Sequence, residues 1–112
     1  MDERERRVGR NEAVFREVNE QIESLNRGIA AISDHMLHVV CECGELQCSE
    51  QLPVPLEVYS RVRSDPALFV VLPEHEKPDV EDVVERTARY CIVRKHEGDP
   101  ARIAEATDPR SD

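Results

Sequence analysis

Three cysteines fall within eight residues, in Cys41-Glu42-Cys43-Gly44-Glu45-Leu46-Gln47-Cys48, and a fourth, Cys91, lies far downstream. Thiols at this density, in a chain with no export signal at its start, point to a bound metal rather than to disulfides. A Cys-x-Cys pair on an extended segment projects both sulfurs to one side, close enough to share an ion. Gly44 permits a tight turn that returns Cys48 to the same place. Structural zinc takes four ligands tetrahedrally, and three thiolates with one imidazole are a common set. The expected fourth ligand is His75, in Leu72-Pro73-Glu74-His75-Glu76, at the end of the next apolar run. Cys41, Cys43, Cys48 and His75 are thus the expected ligands of one structural Zn2+ per chain. Cys91, His38, His35 and His96 are the rivals for the fourth place. The spacing here is Cys-x-Cys-x4-Cys, whereas structural zinc sites more often use Cys-x2-Cys. The competing reading is a set of reduced thiols with a reversible disulfide to Cys48.

Catalytic zinc needs an open position for water, His-rich ligation and a carboxylate base. Glu42, Glu74 and Glu76 offer carboxylates, but His-Glu-x-x-His is absent, as is the His-x-Glu and Pro-Cys-x-x-Cys pair of the zinc deaminases. With four glycines in all, the chain also has little from which to build a phosphate loop. No catalytic residue is assigned, and the chain reads as non-enzymatic.

The elements that must position these ligands follow from periodicity. Residues 1–10 read as a disordered, charge-mixed arm. Asn11 can cap a helix over 11–33, in which Phe15, Val18, Ile22, Leu25, Ile29 and Ile32 recur at alternating three- and four-residue steps. Val8 lies one heptad upstream, and Gly28 either interrupts the helix at modest cost or ends it. The stripe either covers this protein's own sheet or packs on a helix of a partner or a second copy. From His35 to Cys43 the pattern alternates, placing Leu37, Val39, Cys41 and Cys43 on one face, with His38 and Glu42 pointing away. Residues 51–54 suit an edge strand because Pro53 and Pro55 lack amide donors. A short helix over 56–63 stops before Pro66, and 67–72 reads as a buried strand. Residues 80–86 and 89–95 read as a hairpin, and 97–112 as a tail with a short helical turn at 101–106. The expected fold is α+β. An amphipathic helix packs with a small, mostly antiparallel sheet of four or five strands and one short helix. A metal staples the domain, which spans 34–96.

At 112 residues and 39% hydrophobic, with no Trp, the chain has room for one thin-cored domain of the kind that metals stabilise. A net charge of −9 argues against a nucleic-acid surface, since such binding neutralises phosphates with Lys and Arg. The basic stretch Arg4, Arg6, Arg7 and Arg10 is interleaved with Asp2, Glu3 and Glu5. No run approaches membrane-spanning length, so the chain reads as cytoplasmic. Two acidic runs (Asp34, Glu42, Glu45, Glu50, Glu57 and Glu74, Glu76, Asp79, Glu81, Asp82, Glu85) read as solvated faces or as a patch for a basic partner.

The run Cys41-Glu42-Cys43-Gly44-x3-Cys48-x-Glu50, followed by Leu56-Glu57-Val58-Tyr59, Val62-Arg63-Ser64-Asp65-Pro66 and Phe69-Val70-Val71-x-Pro73-x-His75-Glu76, resembles a family of small, largely uncharacterised actinobacterial proteins. An opening helix like 11–20 and a segment like Val83-Val84-Glu85-Arg86 extend the likeness over 11–108. The resemblance implies that Cys41, Cys43, Cys48 and His75 belong together, and it carries no activity. Thr87-Ala88-Arg89 departs from it, standing where a polar turn with Gly is expected. Together these readings give a zinc-stabilised interaction or regulatory module, with a transcription-associated role by analogy. A thiol/zinc redox sensor is the alternative, and a small zinc enzyme the remoter one.

Overall fold

A computed structural model describes residues 3–30, 36–45, 48 and 50–109, with the side chains of the first helix described over 7–24. That helix, α1 (Glu3–Ala30), is 28 residues long. It begins well before Asn11, so 3–10 are helical rather than a disordered arm, and it runs through Gly28 without a break. Ile32 and His35 lie outside the described residues, as do the side chains of Leu25 and Ile29.

The strands form two small antiparallel sheets rather than one. The first pairs β1 (Met36–Val40) with β2 (Gln51–Pro55), setting Leu37 opposite Val54 and Val39 opposite Leu52. These four side chains are buried, as the alternation predicts. Among the described residues β2 has β1 as its one strand partner, which is where Pro53 and Pro55 can be tolerated. Pro55 leads into α2 (Leu56–Arg63), whose first turn carries Glu57 and whose last carries Arg61 and Arg63, each sign at its favourable dipole end. The second sheet has the order β3-β5-β4, from β3 (Leu68–Val71), β4 (Glu81–Arg86) and β5 (Cys91–Lys95), with a bulge between Val83 and Glu85. The expected C-terminal tail holds α3 (Asp99–Ala106), whose Ala104 is buried.

Just past β1 the chain crosses between the sheets. Cys41 N donates to Glu50 O at 2.9 Å, and Glu42 N donates to Val70 O at 2.9 Å. The Cys-x-Cys pair therefore sits at the seam. One apolar cluster, built from Leu37, Val39, Leu52, Val54, Tyr59, Val62, Phe69, Val70, Ile92, Val93 and their neighbours, underlies both sheets.

α1 meets this body with the wrong face for a simple amphipathic helix. Its buried side chains are Glu12, Arg16, Asn19 and Glu23, while Val14 is 57% and Val18 42% exposed. Phe15 and Ile22 are half-buried. Over the described side chains, 7–24, the fully buried face is a polar stripe at the same helical period, with Phe15 and Ile22 partly covered beside it. Its charges are compensated. Arg16, Lys95 and Arg63 lie 4.5, 5.2 and 5.5 Å from the centre of the Phe69 ring, cation–π distances on a shared aromatic. Lys95 Nζ donates at 2.7 Å to both Glu12 and Glu81. Glu81 is thus a buried ion partner, not a member of a solvated acidic run.

Candidate metal centre

The four expected ligands come together. The sulfurs of Cys41, Cys43 and Cys48 and a ring nitrogen of His75 all lie within 4.8 Å of one another. His75 Nδ1 is 3.7 Å from Cys41 Sγ and 3.6 Å from Cys48 Sγ. Tetrahedral bonds of about 2.3 Å to sulfur and 2.0–2.1 Å to nitrogen set sulfur and nitrogen about 3.6 Å apart. The spacing is therefore that of ligands around one central ion. The cluster can hold a metal ion.

Local structure explains how a strand and a remote turn converge. Extended backbone at 41–43 puts the first two sulfurs on one side. Gly44 then turns at φ 80°, and Cys48 N donates to Glu45 O at 3.0 Å, closing the return. On the other side, β3 runs out through Leu72, whose N–H donates to Cys41 Sγ at 3.2 Å. Glu74 takes a left-handed φ of 76°, unusual for a residue with a Cβ, and His75 N donates back to Leu72 O at 3.0 Å. That turn aims the imidazole at the sulfurs, and its backbone strain is on the order of 1–3 kcal/mol. Lys77 Nζ donates to Cys43 O, adding a positive charge beside the thiols.

The cysteines are buried and His75 half-buried. A hydrogen bond from Cys41 pulls the Cys43 thiol down from its ordinary value, favouring its thiolate. The same hydrogen bond, with burial, pushes Cys41 up, and burial pushes Cys48 up. A cation entering the cluster would displace the remaining protons, because metal ligation requires thiolates.

None of the described rivals joins the cluster. His38 is exposed on β1, His96 Nε2 sits 3.2 Å from Asp82 Oδ1, and buried Cys91 has Arg86 Nη1 at 3.6 Å from its sulfur.

Glu42, between the two ligands, overturns the expectation of a solvated carboxylate. It is fully buried. It accepts from Asn19 Nδ2 and Tyr59 OH at 2.8 Å each, from Val70 N at 3.0 Å and from Arg63 Nη2 at 3.4 Å. Arg63 also donates to Leu68 O. Burial, with Glu42 beside it, pushes the Tyr59 phenol up, keeping it a donor. Glu42 thus ties α1, α2 and β3 together behind the ligand strand. The available signal was the spacing of Glu12, Arg16, Asn19 and Glu23 by four, three and four residues. On composition alone, that pattern reads as a solvated face.

Among the described residues no helix is long and apolar enough to cross a membrane. No protein-family model, curated protein or solved structure matches this chain.

Proposed function

We propose that Cys41, Cys43, Cys48 and His75 hold one Zn2+ as a structural staple, and that the stapled domain is a non-enzymatic protein-interaction module. The observation that carries this reading is the cluster of three buried thiols and one half-buried imidazole at the seam of the two sheets. Soft thiolates with one imidazole at tetrahedral separations suit zinc better than the hard, oxygen-loving cations. Four protein ligands leave no open position for a catalytic water. Zinc joining 41–48 to the turn after β3 makes metal binding part of the folding free energy.

The interaction half of the proposal draws on α1. Of its stripe of Phe15, Val18 and Ile22, which Leu25, Ile29 and Ile32 continue in sequence, Val18 is exposed, as is Val14 beside it, while Phe15 and Ile22 are half-buried. A heptad-spaced apolar seam is what a partner helix or a second copy recognises. Burial of Cys41 and Cys43 weighs against the thiol-sensor alternative, since oxidants need access to thiolate.

Two measurements test the pair of claims. Metal analysis of protein purified without added metal is expected to find one zinc per chain. Size-exclusion and native pull-down with Val14→Glu and Val18→Glu are expected to abolish association seen with the natural chain. A natural chain that is strictly monomeric and retains no partner contradicts the interaction reading.

A further inference from the structure

Every residue of the buried apolar cluster comes from 37–104, and among the described residues none comes from α1. The helix is attached by polar contacts. Several of these end on the strand that carries the ligands. Asn19 Nδ2 donates to Val40 O at 2.7 Å and its Oδ1 accepts from Val40 N at 2.7 Å, while the same amide nitrogen reaches Glu42. Asn11 Nδ2 donates to Gly44 O at 3.0 Å. α1 comes so near at this point that a Cβ on Gly44 would stand 2.8 Å from Val8 O.

Residues 40–44 are thus shared out by parity. Cys41 and Cys43 face the ligand cluster, and Val40, Glu42 and Gly44 hold α1. Whatever fixes the odd residues fixes the even ones. Buried polar contacts hold only at the correct geometry, whereas apolar packing would tolerate a slip of the strand.

From this we infer that α1 is an arm latched by the metal. Zinc in the cluster holds 40–44 in the conformation that Asn11, Asn19 and Glu42 require. Its removal releases the contacts of α1 with 40–44 and loosens the helix on its remaining anchors, Glu12 on Lys95 and Arg16 on Pro66 and Ala104, while the apolar body of β3, β5 and α2 stays folded. This rests on the zinc reading above and adds to it a consequence: the metal regulates how α1 is presented.

The test is hydrogen exchange, read by mass spectrometry, on the full chain loaded with zinc and again after chelation under reducing conditions. Peptides within 11–24 are expected to exchange at least roughly tenfold faster without zinc, and those of β3 and β5 less than roughly threefold faster. Equal acceleration in both regions, or none in α1, overturns the latch. Coupling is reciprocal, so Asn19→Ala should weaken zinc affinity in competition with a chromophoric chelator by about the factor that zinc slows α1 opening. If that variant does not fold, Asn11→Ala gives the same readout. Unchanged affinity overturns the proposal. Absence of zinc from the purified chain defeats staple and latch together and is seen in the metal content; zinc present with α1 indifferent to it defeats the latch alone.

Discussion

Replacing Glu42 by alanine removes the acceptor for four donors at once. The Glu42 and Arg63 side chains are both fully buried, 3.4 Å apart, so the variant leaves a buried guanidinium without its carboxylate. Losing one member of a buried pair costs about 3–5 kcal/mol. Asn19, Tyr59 and Val70 N also lose an acceptor, at roughly 1–3 kcal/mol for each donor left unsatisfied. These costs do not add, because water can enter the space vacated, and a total near 4–6 kcal/mol is expected. That rivals the whole stability of a small domain, about 5–15 kcal/mol. Glu42→Gln keeps the shape but turns an NH2 toward donors, and should lose about 2–3 kcal/mol. The assay is urea unfolding at saturating zinc, where a slope of about 1–3 kcal/mol/M makes either loss a shift of roughly 0.7 M or more. Glu45→Ala is the control, since Glu45 is 51% exposed and only 3.7 Å from Lys77, a surface pair worth under about 1 kcal/mol. A Glu42→Ala protein within about 1 kcal/mol of the natural chain, or no worse than Glu45→Ala, would refute the reasoning.

Gly44→Ala should destabilise by at least about 2 kcal/mol and weaken zinc retention, because it pairs a positive φ with a Cβ 2.7 Å from Glu12 Cγ; thermal unfolding equal to the natural chain contradicts this. Burial lifts the Glu12 carboxyl from 4.5 to about 7, against the pull of Lys95. The folded state therefore binds that proton more tightly than the unfolded chain. The resulting stability is complete below about pH 4.5, is lost as pH rises through about 7, and amounts to at most about 3 kcal/mol. Glu12→Gln, compared with the natural chain at saturating zinc, should gain relative stability from pH 5 to pH 8; a difference that is flat with pH overturns the assignment. Arg16 is fully buried and donates to Pro66 O at 2.7 Å, Ala104 O at 2.6 Å and Thr107 Oγ1 at 3.2 Å. Arg16→Met should cost about 2–3 kcal/mol and speed exchange across 99–107, whereas unchanged exchange there would show that α3 docks without it.

Much of the site was legible because its signals are local. Cys41 and Cys43 share a face through strand alternation, Gly44 provides the turn, and His75 follows the proline that ends β3. The helix over 56–63 was equally readable, bracketed by Pro55 and Pro66. What escaped was everything decided by long-range polar pairing. Glu42, Glu81 and Glu12 look alike in sequence to the exposed Glu45 and Glu57, and only the partner distinguishes them. For Glu42 those partners, Asn19, Tyr59 and Arg63, are supplied by two other elements. The start of α1 was missed for a related reason: Arg4, Glu5 and Arg6 have the composition of a loose arm, yet 3–10 continue a helix held at Asn11 and Glu12. The same blindness hid which face of α1 is buried, since an apolar stripe is ordinarily the one that docks.

The most direct measurement is native mass spectrometry of the natural chain beside Cys43→Ser and His75→Ala. One zinc per natural chain, and a sharply reduced fraction of metal-bound chain in both variants, is the expected result. Full zinc occupancy in either variant, or a natural chain that carries none, would contradict a four-residue staple at the seam of the two sheets.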